Sequence, residues 1–204
     1  MPKAGIFPAR VDSAQGQIAR AILEVLGRVP RTHKHASASP EQAGRKLANA
    51  AAAKAAMISG GLALPPGPLG WLTILPELIA IWKLQAQMVA DIAAVYGKSG
   101  TLSKEQMLYC LFRHAAAQAV RDFVVRAGER FIVRHVTLKA LQTAAERIGV
   151  KVTQRAVGAA VSRWIPIVGA VGVGAYAYYD TAQVARTAMD LFGRTLEIEP
   201  GPGA

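Results

Sequence analysis

Apolar residues recur every three to four positions along most of this chain, a spacing that predicts amphipathic helices. The predicted helices cover 13–28, 39–59, 69 or 71 to 96, 103–147, 150–163 and 167–192. Ser39-Pro40-Glu41-Gln42 and Ser103-Lys104-Glu105-Gln106 are typical of helix starts, and Gly128 could divide the long fourth segment into 103–127 and 129–147. Gly149 is the next predicted stop. No segment shows clear strand alternation, so we predict an all-α fold, a compact bundle of six or seven helices.

Two apolar segments are broken by glycine and proline, one between Ser59 and Trp71 and one at Pro166. The first lies in an uncharged run from Ala55 to Pro76, which has the length of a membrane span but contains too many helix breakers to form one straight helix. Two interpretations follow: buried helical hairpins of a soluble core, or hairpins that dip into one leaflet of a membrane. Apolar stretches this short favour the core.

The chain divides into three predicted regions. Residues 1–38 form a basic N-terminal helix and a linker, residues 39–193 a helical domain, and residues 194–204 a flexible tail. The N-terminus contains no apolar segment of the kind that a secretory signal requires, which favours a cytoplasmic location.

Gln85 interrupts the apolar face of the third predicted helix, between Trp82 and Met88. A buried amide without partners costs about 1–3 kcal/mol, so we expect it to bond a backbone carbonyl at one of the Gly/Pro breaks, or to contact a bound ligand. Trp71 and Trp82 on the same helix are candidate lipid contacts, with Gln85 as a third.

The chain is strongly basic, with 24 Lys+Arg against 13 Asp+Glu and a net charge of +11. Arg126, Arg130 and Arg134 fall on one helical stripe if Gly128 leaves the helix intact. Acidic residues of neighbouring helices are one expected partner, and an anionic membrane surface or a protein is the other. Few aromatic residues accompany these arginines and no zinc-finger or RNA-binding signature is present, which disfavours nucleic acid.

No arrangement of residues predicts a reaction. The single cysteine, Cys110, lies in an apolar run and is expected to be a core residue. His33 and His35 lie in the basic linker, and His114 and His135 are isolated from each other in predicted helices, so no metal site is predicted. The glycines from 169 to 174 follow no strand and precede no Gly-Lys-Ser/Thr, so they predict close packing and not a phosphate loop. We predict no enzyme activity and no cofactor.

Two segments carry a family resemblance. The first is GPLGWLTILPELIAIWKLQAQMVADIAAVYG, with its apolar Gly/Pro turn, Leu-Pro pair, glutamine-bearing helix and final Tyr-Gly. The second is WIPIVGAVGVGAYAYYDTAQVARTA, a Pro-x-Val-Gly-Ala turn into a helix with late polar residues. Together they resemble the EcsC family of bacterial proteins over roughly 45–192. The resemblance implies an all-helical bacterial protein linked to membrane transport through the genetic context of the family's namesake, and it brings no catalytic residues.

These observations predict a non-enzymatic helical protein that acts at the inner membrane surface, as a lipid-binding protein or in association with a transport system. The basic N-terminal region and the three arginines would act electrostatically, and one of the two apolar hairpins would insert. The alternative is a soluble protein–protein adaptor whose apolar core is fully buried.

Overall fold

The computed structural model describes residues 14–61, 70–162 and 166–199. Within them the chain forms six α-helices, a short 3-10 helix and three short strands. In chain order these are α1 (Ala14–Gly27), α2 (Pro40–Gly61), α3 (Gly70–Val95), the 3-10 helix (Ser99–Thr101), α4 (Lys104–Val120), β1 (Val124–Ala127), β2 (Arg130–Val133), α5 (Leu138–Ser162), α6 (Pro166–Phe192) and β3 (Thr195–Ile198). The predicted helical bundle is confirmed, with a small sheet added to it.

The starts of α2 and α4 follow the predicted caps. α2 and α6 both begin on a proline, a residue that suits the first helical position because its missing N–H would have no partner there. At the start of α4 the Ser103 side chain accepts from the Gln106 N–H, and the Gln106 side chain accepts from the Ser103 N–H, so the predicted capping box is present.

The predicted helical region 103–147 is wrong between 121 and 137. α4 ends at Val120, and β1 and β2 form an antiparallel hairpin in which Val124 pairs with Val133. Phenylalanine and β-branched residues crowd this segment, and such side chains suit a pleated, half-buried surface. Gly128 lies in the turn at φ +61°, a conformation that glycine adopts without a steric penalty.

Gly149 does not end a helix, contrary to the prediction. It lies inside α5, at the contact with α1, where a Cβ atom would stand 2.8 Å from the carbonyl oxygen of Gln15. A side chain there would push the two helices apart, so this glycine is explained by close packing and not by chain termination.

Helices α2, α3 and α6 pack against one another along the bundle. Gly44 near the start of α2 packs against Met189 near the end of α6, while Ala55 near the end of α2 packs with Ala177. The two helices therefore run antiparallel, as do α2 and α3, whose Ser59 and Glu77 are hydrogen-bonded at 2.7 Å. The end of α2 and the starts of α3 and α6 consequently share one end of the bundle. The end of α5 lies close to them, because only residues 163–165 separate it from the start of α6.

The N-terminal helix belongs to the same core as the helical domain. Ile18 and Ile22 of α1 are fully buried in a cluster with residues of α3, α4 and α5. The linker that follows is held on α3: Thr32 donates to Asp91 at 2.6 Å and the Ser37 N–H donates to the Val95 carbonyl at 3.0 Å. Residues 14–38 are thus packed against the bundle.

The segment predicted as a flexible tail begins with an ordered strand. β3 pairs with β2 in parallel, Arg130 opposite Thr195 and Val133 opposite Ile198, giving the sheet order β1-β2-β3. Residues 200–204 lie outside the described residues. Because β3 begins just after α6 ends, the sheet lies at the end of the bundle opposite the start of α6.

Candidate functional site

The two tryptophans proposed as lipid contacts differ in position. Trp82 is buried in the core, 5% exposed, with its ring edge-on to Phe112 at a centroid distance of 5.5 Å. It therefore packs the bundle and does not contact lipid in this conformation. Trp71 is the second residue of α3, and its side chain lies outside what the structure describes.

Gln85 is fully buried, as the sequence predicted, but its expected partner is wrong. The amide nitrogen donates to Asp180 Oδ2 at 2.8 Å and to Thr181 Oγ1 at 3.1 Å, both on α6. Side chains of α6 therefore satisfy this nitrogen, and no carbonyl at a Gly/Pro break is needed.

Asp180 also binds His114, which sequence reasoning had treated as isolated. His114 Nε2 lies 2.6 Å from Asp180 Oδ1, across 66 residues of sequence. We call the four residues Gln85, His114, Asp180 and Thr181 the Gln85 cluster. It joins α3, α4 and α6, and no local spacing in the chain could have indicated it.

The backbone of α4 is distorted next to this cluster. Ala116, two residues after His114, has non-helical angles of φ −146° and ψ 51°, so α4 is kinked there. The kink changes the direction of the helix directly after the residue that contacts Asp180. Proline and glycine are common causes of helix kinks, but α4 contains neither residue.

The atoms of the Gln85 cluster can be assigned as hydrogen-bond donors or acceptors. When Asp180 is ionised it can only accept, so His114 donates to it from Nε2, and in the neutral ring Nδ1 is then an acceptor. Within the described residues, His114 Nδ1 and Gln85 Oε1 are buried and have no hydrogen-bond partner. The cluster thus pairs one carboxylate with two buried acceptors that the described protein atoms do not satisfy.

Arg126, Arg130 and Arg134 are not on a helix; all three are exposed at the sheet. Arg130 forms an ion pair with Glu197, and Arg134 with Glu199 at 3.4 Å. Arg126 donates to the Gly128 carbonyl oxygen at 3.2 Å. Acidic residues do face two of these arginines, but they come from β3 and its extension and not from neighbouring helices.

The opposite end of the bundle carries almost no charge. We call it the charge-free end and define it as the parts of α2 after Lys54, α3 before Glu77, α5 after Arg155 and α6 before Asp180, none of which contains a charged residue. Among the side chains that the structure describes there, the exposed large ones are Met57, Tyr176, Tyr178 and Tyr179.

One stretch of α3, Leu75–Val95, is long and apolar enough to cross a membrane by length and composition alone. Its mean hydropathy is 1.4, but 61% of it is buried inside the protein. Core helices of water-soluble proteins have the same properties, so this stretch by itself says little about a membrane.

Metal binding has little support in the described part of the chain. No group of three or more His, Cys, Asp and Glu side chains there is placed to hold an ion. Cys110 is fully buried, and this burial raises the pKa of its thiol far above the ordinary range, so it is no nucleophile.

The described architecture is that of a helical bundle that encloses a polar cluster and ends in a small sheet. The model of the EcsC protein family matches residues 28–196, and the chain belongs to this family. The match spans α2 to the first half of β3 and leaves out α1. No curated protein and no solved structure matches the chain.

Proposed function

We propose that this protein acts at the inner membrane surface as a non-enzymatic binding protein, and that it contacts the membrane with the charge-free end. The observation that carries the proposal is the absence of charge from four helix ends that share one end of the bundle, together with three exposed tyrosines on α6. Tyrosine is enriched at membrane–water interfaces because its ring is apolar and its hydroxyl is polar.

The distribution of charge supports the same orientation. The segments that connect these helix ends, 62–69 and 163–165, contain a single charge, Arg163, which is followed by Trp164. A cation beside an aromatic residue suits the level of anionic headgroups. The net charge of +11 adds a general attraction to an anionic surface. The link to membrane transport implied by the family resemblance stays a prediction.

Vesicle flotation tests the proposal. We expect the protein to float with vesicles of phosphatidylcholine and phosphatidylglycerol, and more weakly with phosphatidylcholine alone. The double variant Met57→Glu with Tyr179→Glu should reduce flotation about tenfold or more, since charge is costly in an apolar interface. Both side chains are exposed, 75% and 60%, so the fold should be unaffected.

The matched control places the same substitutions at the other end. Leu138 and Ile198 are also exposed apolar residues, at the start of α5 and the end of β3, and Leu138→Glu with Ile198→Glu should leave flotation unchanged. Equal loss in both double variants, or loss in the control alone, would contradict the proposed orientation. If the protein floats with none of the vesicles, the result would instead support the alternative function, a soluble protein–protein adaptor.

Tryptophan emission gives a second readout. Trp82 is already buried, so it would report little, and Trp82→Phe leaves Trp71 and Trp164 as the probes. Trp71 belongs to the charge-free end of α3, and Trp164 comes two residues before α6 in the sequence. We expect their emission to shift to shorter wavelength when vesicles are added. An unchanged spectrum in this variant would argue against insertion.

A further inference from the structure

The Gln85 cluster is more polar than packing requires. Gln85 is fully buried, and its amide oxygen has no hydrogen-bond partner among the described residues. Buried polar atoms are satisfied in the great majority of native structures, and the exceptions call for an explanation such as a bound ligand or an ordered water. His114 Nδ1 is a second such atom in the same cluster.

Two side chains of the Gln85 cluster are fully buried and two are partly exposed. Gln85 and Thr181 are fully buried, whereas the side chains of His114 and Asp180 are each 18% exposed. A small molecule could therefore reach the carboxylate and the imidazole from the surface, but Gln85 Oε1 and His114 Nδ1 have no accessible surface, so these side chains must move to admit it. Tyr176, one helical turn before Asp180 on α6, lies on the same side of that helix and is 56% exposed.

The chemistry of the cluster selects a cation that donates hydrogen bonds. With a neutral His114, the cluster contains one negative charge, on Asp180, and the two unsatisfied atoms are both acceptors. Within the described chain Asp180 contacts His114 Nε2, which carries no charge when the ring is neutral, and neighbouring Arg113 is directed to Asp190 at 3.9 Å. No described arginine or lysine therefore neutralises Asp180.

We propose that the Gln85 cluster is a binding site for a small primary amine. The ammonium group, which has three donors, would donate to the acceptors Gln85 Oε1 and His114 Nδ1 while the charge of Asp180 balances its own. Asp180 directly follows Tyr179 on α6, so this site borders the proposed membrane contact.

The test titrates the full-length protein with ethanolamine hydrochloride while nitrogen NMR follows the ring nitrogens of His114. We expect a saturable shift of Nδ1, and no such shift with tetramethylammonium chloride, a cation without N–H donors, at the same ionic strength. Asp180→Asn should weaken ethanolamine binding about tenfold or more, because it removes the charge and keeps the shape. Asp190→Asn, a carboxylate on the same helix, is the matched control and should bind normally.

The source of the amine is resolved in a parallel titration with bicelles that contain phosphatidylethanolamine. Saturation by free ethanolamine assigns a soluble amine, and saturation by the bicelles alone assigns a lipid headgroup. If Asp180→Asn does not fold, Gln85→Met gives the same readout with an apolar side chain of similar length. The proposal is overturned if neither form produces a saturable shift, if tetramethylammonium acts equally, or if the variants bind as wild type does.

Discussion

The two ends of the bundle differ in their charged residues. At the sheet end, charges are numerous and paired: Arg130 with Glu197, Arg134 with Glu199, and Arg194 with both Asp190 and Glu129. At the charge-free end, four helices terminate without any charged residue, and tyrosines are exposed instead. α6, at 27 residues or about 40 Å, separates the two ends.

This difference concerns two sequence features, the arginines and the apolar Gly/Pro segments, that were both predicted to contact a membrane. The arginines lie at the sheet end, whereas the helix ends that flank the apolar Gly/Pro segments lie at the opposite end. Arginines already paired with glutamates offer less free charge to an anionic surface than their number suggests. The apolar end is therefore the better candidate for the contact.

The largest expected effect compares one aromatic residue from each end. Phe131 of β2 is fully buried and packs edge-on to Tyr109, with ring centroids 6.4 Å apart. Phe131→Ala should lower the free energy of unfolding by about 3–5 kcal/mol, since it leaves a cavity. Tyr179→Ala at the charge-free end should change it by about 0.5 kcal/mol or less. Denaturant unfolding measures both, and a large loss for Tyr179→Ala would show that this tyrosine is packed.

The next prediction concerns how stability depends on pH through the buried thiol of Cys110, which lies next to Tyr109 in α4. Burial raises the pKa of the Cys110 thiol, so above about pH 8.5 the unfolded thiol loses its proton while the folded one keeps it. The unfolded state is then favoured, and stability falls as the pH rises. Between about pH 7 and pH 9.5 the wild type should lose about 1.4 kcal/mol more than Cys110→Ala. Equal losses would mean that the thiol ionises in the folded protein.

Two glycines, one at each end, form a pair with opposite expected signs. A Cβ atom added at Gly128 or at Gly172 would meet no other atom within 4 Å, but Gly128 has φ +61° whereas Gly172 lies within α6. Gly128→Ala should cost about 1 kcal/mol because alanine disfavours positive φ. Gly172→Ala should stabilise by about 0.5–1 kcal/mol, since glycine weakens a helix. Thermal unfolding measures both, and the same sign in both would contradict these backbone assignments.

The smallest expected effect concerns the ion pairs of the sheet end. Arg130→Ala and Arg134→Ala should each cost about 0–1 kcal/mol at low salt, because these pairs are exposed to solvent, and less in about 1 M NaCl. Arg126→Ala, which removes a bond to a backbone carbonyl, is the control and should show less dependence on salt. None of the three should reduce vesicle flotation much if the charge-free end makes the contact.

Local signals in the sequence predicted much of the fold. Capping residues located the starts of α2 and α4, apolar spacing located α1, α3 and α6, and the spacing around Gln85 identified a buried amide. Local reasoning failed where one residue type serves two purposes. Glycine ends helices in some places and allows them to touch in others, and Gly149 does the second. A short run such as Phe131-Ile132-Val133 fits either a helix or a strand, and its pairing partners decide between them.

The sequence by itself thus determined the helical class, the helix starts and the presence of an apolar, charge-poor region, because these depend on neighbours within a few residues. Only the tertiary structure decided that His114 and Asp180 meet across 66 residues, that Glu197 reaches Arg130, and that four uncharged helix ends lie together. The physical reason is the same in each case: hydrogen bonds and ion pairs depend on distances in space, and antiparallel helix packing sets those distances independently of separation along the chain.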